Sequence, residues 1–449
     1  MTSDKSGSGS SDGKNEASQN MAIMVFAVRV ASAALAFFSQ VLLARWMGNF
    51  EYGIFVAVWA GVVICSTLTT LGLPPATTRF VAEYREEKKN SLVWGVIHGS
   101  TWLAFASSTI AASIAALLLY LFPEAVTNYF VMPIFLAALC LPALGVEGVN
   151  DGIGRTFNWL GVTFLPTFII RPLGILMIMG VAILIGYEPT AVTAMWSAVI
   201  STYITSIGQY TVLISKLHKT LKPEKPKLML KYWLMVALPI FLVESFYVLL
   251  TQVDVVFVSW LMDPESTAVY FAATKILALV HFVYFAVRAA VAHRYVEYNV
   301  AGDTYAYQQF VQKTVAWTFW PSLALAICMC LLGKYFLMLF GPDFVSGWPI
   351  LWVLAIGIII RASIGPAESL LVMSGRQNVC AIVYAGAFML NVVLNLTLIP
   401  QFGLIGAALA TAIALVFESV ILYTIARVKL DIHAFIIPRQ MRTTAEAKG

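Results

Sequence analysis

Twelve apolar runs parted by short polar loops leave this chain few folds to choose from. They fall at roughly 21–44, 54–73, 92–121, 130–149, 158–184, 191–214, 232–260, 267–292, 314–332, 349–373, 379–399 and 404–426. A helix of about 20 apolar residues crosses the hydrocarbon core of a bilayer, and these runs have that length. Hydrophobic residues make up 60% of the chain and charged residues 11%, against roughly 45–50% and 25% in soluble domains. The surplus apolar surface must face lipid. The chain therefore reads as an all-α polytopic membrane protein with about twelve transmembrane helices. The first run is too long for the apolar core of a signal peptide, so it reads as the first span.

Lys and Arg set the orientation. With the N-terminus in the cytoplasm, 21 of the 28 basic residues fall on the cytoplasmic side, and only Arg45 and Lys334 fall opposite. The positive-inside rule then makes both termini cytoplasmic. The net charge of +5 reflects topology, and no nucleic-acid partner is expected. Six lysines lie between Lys216 and Lys231, a cationic segment suited to the anionic inner leaflet. The expected organisation is a disordered tail (1–20), a six-helix lobe (21–214), a basic linker (215–231), a second six-helix lobe (232–427) and a polar tail (428–449). Pro142, Pro166, Pro172, Pro239, Pro321 and Pro366 sit within or near the ends of spans, where each can kink its helix; Pro239 is the best candidate, because its run continues long after it. The LFGPDF segment at 339–344 reads as an outer turn without chemistry.

The two sides of the linker resemble each other. ARWMGNFEYGIF at 44–55 is followed by RFVAEY at 79–84; VSWLMDPESTAVYF at 258–271 is followed by RYVEY at 294–298. Gly48 to Arg79 and Asp263 to Arg294 each span 31 residues, an offset of 215. Glu147 and Glu368 each stand eight residues before an arginine, Arg155 and Arg376, at an offset of 221. Six spans per half is an even number, so the repeat is parallel. Transporters built this way place substrate at the seam and rock the halves about it.

Enzyme signals are missing. The five cysteines (Cys65, Cys140, Cys328, Cys330, Cys380) form no CxxC pair and read as free thiols. The histidines show no HExxH spacing and no phosphate-binding GxxxxGK[ST] loop occurs. No metal site, catalytic residue or cofactor is expected beyond a coupling ion, H+ or Na+. A membrane glycosyltransferase or polymerase would want a large outer loop with catalytic carboxylates; the longest here, about 333–348, carries Asp343 alone.

Five basic residues lie within spans: Arg29, Arg171, Lys275, Arg288 and Arg361. Each costs about 2.5–3.5 kcal/mol at a helix centre, together on the order of 15 kcal/mol. Such a cost needs a wet or paired interior. The expectation is a cationic cavity for an anionic substrate, with pairing and snorkelling as the alternative. Asp254 and Glu244 are candidates to carry a coupling ion or to neutralise an arginine. At the 215 offset Arg29 corresponds to Glu244, which makes them a candidate gate pair. His281 reads as a packed or hydrogen-bonded residue. Glu147 and Glu368, with their Gly-Arg partners, read as helix ends at the inner leaflet.

RVASAALAFFSQVLLARWMGNFEYGIF (29–55) and LGLPPATTRFVAEY (71–84) resemble the opening of the polysaccharide flippases of the MOP exporter superfamily. LFGPDFVSGWPILWVLAIG (339–357), GPAESLLVMSGRQN (365–378) and NVVLNLTLIPQFGLIGAALAT (391–411) resemble its second half. The resemblance runs from Met21 to Arg427. It implies two six-helix lobes in a V around a cationic cavity. It also implies Wzx-like transport, in which an undecaprenyl-pyrophosphate-linked oligosaccharide crosses the bacterial inner membrane, ion-coupled, for O-antigen, capsule or exopolysaccharide. Polysaccharide polymerase machinery would be a partner. By position, the first-span arginine of that family matches Arg29. A lipid II flippase usually carries two further helices, and a MATE-type drug antiporter would want an acidic cavity.

Overall fold

The computed structural model describes residues 9–301 and 304–437, with side chains from 32 onward apart from a few within 160–304. Ten of its helices are long and apolar enough to cross a membrane. Two of these are folded back on themselves. Helix α1 (Gly9–Thr69) has 61 residues and α14 (Gln377–Leu430) has 54; at 1.5 Å per residue each would far exceed a bilayer of about 30 Å. α1 turns at Gly48 (φ 74°, ψ 172°) and α14 at Gly403 (φ 56°, ψ −135°). Both turns use backbone angles that glycine alone adopts without strain. Twelve crossings result, in two six-helix lobes.

Spans one (to 47) and two (from 49) are the arms of α1. Span two pauses after Thr69 and resumes as α2 (Leu73–Glu86). Spans three and four are α3 (Asn90–Leu121) and α4 (Asn128–Thr156). Span five is α5 (Leu160–Thr163), a π turn at Pro166–Ile170 and α6 (Arg171–Ile185). Spans six to nine are α7 (Ala191–Thr220), α8 (Leu230–Leu261), α9 (Pro264–Ala301) and α10 (Thr304–Leu331). A short α11 (Gly333–Phe340) leads to span ten, α12 (Trp348–Ala362) and α13 (Ala367–Met373). The arms of α14 are spans eleven and twelve. The matched turns of the repeat are made differently: Gly48 by its positive φ, Asp263 by its carboxylate, which accepts a bond from the Ser266 amide at 2.7 Å and caps α9.

Three details depart from expectation. α8 stays helical through Pro239, while outright interruptions fall at Gly72, outside the expected set, and at two other candidate prolines, Pro166 and Pro366, the latter closing Ser363–Pro366, where α12 gives way to α13. The helices also continue past the apolar runs, so that Arg155 and Lys313, counted in loops, stand on α4 and α10. Amphipathic turns in the headgroup zone keep their backbone bonds whatever their hydropathy. And the LFGPDF segment packs between the lobes, as described below.

Buried side chains fall into three clusters whose placement defines the shape. On the half of the membrane away from the Lys-rich linker, one cluster joins both lobes: Leu43, Tyr52, Leu136 and Met179 pack with Val258, Phe271, Phe340 and Leu354. On the linker half there are two. Phe80, Val96, Val149 and Leu217 form one with Trp233, from the start of α8. Tyr295, Phe310, Leu370 and Tyr384 form the other. The lobes therefore share one core on the far half and keep separate cores on the linker half, where the start of α8 crosses to pack on the first lobe. Exposed Trp102, Ile114, Leu184, Met235 and Ile382 turn outward to lipid.

Candidate substrate cavity and its charged surroundings

The parting between lobes holds a cavity of about 240 Å³ lined by spans two, four and seven. Three features set its chemistry. Ser66, Thr67 and Thr70 present hydroxyls from span two. The break at Gly72 puts the first turn of α2 on the wall with Pro74 and Pro75; the prolines carry no N–H, and the Leu73 and Ala76 amides are taken by the Thr70 and Gly72 carbonyls, so this helix start offers no free amide to an anion. Arg155 of α4 and Glu244 of α8 face it from the two lobes. Arg155 is the residue sequence reasoning missed. The polar stretch EGVNDGIGR hid the fact that α4 runs on to Thr156, and the CSTLTT run was the other available signal.

The intramembrane charges sort differently. Arg171 donates to Glu147 at 2.9 Å, and Thr167 donates to the same carboxylate at 2.6 Å. Asp151, one turn along α4, accepts from Gln209 at 2.7 Å. In the second lobe Arg361 pairs with Glu418 and lies 3.6 Å from Glu368. Glu368 also takes Arg288 at 3.2 Å and the Tyr284 hydroxyl at 3.2 Å. Two arginines and two carboxylates thus form a closed network across α9, α12, α13 and α14. Glu147 and Glu368, expected as helix-end residues, are the buried partners of these arginines; the repeat at offset 221 is a repeat of buried ion pairing.

Lys275 on α9 has no carboxylate within ion-pair distance among the described residues; its ammonium lies 4.5 Å from the Phe271 ring centre, a cation–π contact. The side chain of Arg29 lies outside the described residues, so the Arg29–Glu244 pair does too. Glu244 stands at the cavity wall.

Asp254 is 5% exposed and accepts bonds from Asn391 at 2.9 Å, Asn395 at 2.7 Å and Thr411 at 2.5 Å. Tyr270 reaches Thr411 at 3.1 Å. The carboxylate is thus held by neutral donors, with no basic side chain paired to it among the described residues.

The far side is shut. Arg45 of span one donates to the carbonyls of Leu339 and Met338, both at 2.6 Å, satisfying the C-terminus of α11 in the other lobe. Tyr52 packs edge-on to Phe271 and Phe344, ring centres 6.2 and 6.1 Å apart. Gly53 lies so close to Pro264 that an added Cβ would overlap its carbonyl.

Two lobes of six helices, joined at one end and parted at the other around a polar cavity, are the architecture of a MOP-superfamily transporter. Solved structures agree in fold. An inward-facing multidrug-resistance MATE transporter superposes with a TM-score of 0.72 at 15% identity, covering 89% of this chain and 94% of that one. The lipid II flippase MurJ, inward closed, also scores 0.72 at 16% identity, covering 90% and 87%. A MOP transporter from Pyrococcus furiosus, described by the reverse polarity of its binding pocket, scores 0.63 at 13% identity, covering 90% and 94%. The profile of the polysaccharide biosynthesis protein family matches residues 19–292, and that of the MatE family residues 239–397. The chain belongs to the polysaccharide biosynthesis protein family. An uncharacterized membrane protein of Methanocaldococcus jannaschii is 20% identical over 400 residues, covering 85% of this chain and 78% of its own.

Proposed function

We propose that this protein is an ion-coupled flippase that carries an undecaprenyl-pyrophosphate-linked oligosaccharide across the bacterial inner membrane for surface polysaccharide synthesis. Its termini and linker face the cytoplasm, and 21–214 and 232–427 are the two moving bodies. The observation that carries the reading is the linker-side cavity, where Arg155 offers a positive charge to a pyrophosphate from one lobe. Lys275, free of any described carboxylate, and Arg29 extend that potential along the seam. Arg171, Arg288 and Arg361 support the cavity from behind, as paired charges that hold its walls. Asp254 carries the coupling ion, H+ or Na+, and Glu244 meets Arg155 when the linker side closes. The membership in the polysaccharide biosynthesis family supports this substrate class over a drug cation. Polysaccharide polymerase would take up the product beyond the membrane.

Deletion of the gene tests the reading. The lipid-linked repeat unit should accumulate on the cytoplasmic leaflet, and Arg155→Ala and Lys275→Ala should fail to complement while reaching the membrane at normal levels. Normal surface polysaccharide in a deletion strain without a paralogue would overturn it.

A further inference from the structure

A second, larger space lies farther along the same helices. It measures about 470 Å³ and its wall is mainly apolar, with Val58, Gly61 and Cys65 of span two, Ala137 and Leu141 of span four and Val256 of span seven, while Ala115 of span three and the polar Thr127, Tyr129 and Ser259 complete it. The same three helices line both spaces, and each is divided at one level. On span two the groove ends at Cys65 and the cavity begins at Ser66; on span four the division falls between Leu141 and Leu144; on span seven between Val248 and Val256. The groove occupies the far half of the membrane, the cavity the linker half. Its rim carries Trp260 and Tyr129, 70% and 39% exposed, at the level where aromatic side chains meet headgroups. Cys65, in mid-membrane on span two, is exposed because it stands in this opening.

We infer that the groove between spans two, four and seven holds the polyprenyl chain of the lipid-linked substrate while its pyrophosphate occupies the polar cavity. The inference rests on the flippase reading above and names the path by which substrate enters: through the side of the protein between spans two and seven. A polar space followed by an apolar one on the same helices matches an amphiphile with its head toward the linker side and its chain running to mid-membrane and beyond. The chain already lies in hydrocarbon before it binds, so the groove contributes contact and orientation to the headgroup site rather than hydrophobic burial.

Gly61 gives the means to test it, because it lines the groove and an added Cβ there meets nothing within 4 Å, so a larger side chain starts into open space. Purified full-length protein in nanodiscs is titrated with undecaprenyl pyrophosphate, inorganic pyrophosphate and phosphatidylglycerol. The probe is the rate at which a maleimide labels Cys65 in a Cys328→Ser background, Cys328 being the other exposed thiol. Undecaprenyl pyrophosphate should slow labelling at least tenfold, while pyrophosphate alone should not. Gly61→Phe should weaken undecaprenyl pyrophosphate binding at least tenfold and leave pyrophosphate binding unchanged. Protection by phosphatidylglycerol equal to that by undecaprenyl pyrophosphate would overturn the inference, making the groove an ordinary acyl-chain site. So would Gly61→Phe that binds undecaprenyl pyrophosphate like the unaltered protein. If the unaltered protein binds neither pyrophosphate compound, the flippase reading itself fails, and the groove assignment with it.

Discussion

Arg361 and Glu418 meet where neither could stand alone. Glu418 is fully buried and Arg361 is 8% exposed; removing one partner strands the other charge at a cost of about 3–5 kcal/mol. Arg361→Ala should therefore lower the thermal midpoint of the detergent-solubilised protein by many degrees, and Arg361→Met with Glu418→Leu should recover most of the loss. A thermal melt followed by tryptophan fluorescence reads both. Asp254 behaves differently, because its partners are neutral: Asp254→Asn keeps the hydrogen-bonding shape and should leave stability near the original while abolishing the dependence of transport on an ion gradient. Sequence showed which residues were charged at membrane depth. It could not show their partners, since Asp254 and Asn391 stand 137 residues apart and Arg361 finds Glu418 only through the packing of α12 on α14. For that reason Arg171, Arg288 and Arg361 stand in the sequence as candidate cavity cations, and only the packing pairs them with Glu147, Glu368 and Glu418.

Among the elements, the far-side closure is the part least visible in sequence. Arg45 counted only as a stray outer charge and LFGPDF only as a turn, yet together they join span one to α11. Hydropathy found all twelve spans, because a run of apolar residues has no other home. It placed their ends poorly, since α4 and α10 stay helical through polar turns, and it put the main bend at Pro239 when the breaks lie at Gly72 and Ser363–Pro366. In Gly53→Leu the side chain cannot fit against Pro264, so the far side should open. A thiol introduced by Tyr52→Cys, unreactive in the native background because Tyr52 is fully buried, should become reactive to a water-soluble maleimide in Gly53→Leu. Arg45→Ala should act in the same direction more weakly, because it removes two hydrogen bonds, each of about 1.5–3 kcal/mol for a charged donor, and adds no clash.

For the molecule as a whole, one core is shared by both lobes on the far half, and the cores of the linker half are separate, with the start of α8 packed on the first lobe. Rocking requires the shared cluster to part as the separate ones meet, and the parallel repeat gives both lobes matching surfaces for the exchange. Spin labels at Glu86→Cys on α2 and Lys429→Cys on α14, both on the linker side, should report a long distance at rest and a shorter population when substrate is added. The most direct test of the account is transport itself. Purified protein is reconstituted into liposomes with a fluorescent undecaprenyl-pyrophosphate-linked oligosaccharide, an ion gradient is imposed, and the fraction of label reachable by a membrane-impermeant quencher is followed. The account predicts that the protected fraction crosses with the gradient, and that Arg155→Ala and Asp254→Asn abolish the crossing. A protein that leaves the labelled lipid where it started, yet exchanges a cationic drug for the same ion, would contradict it.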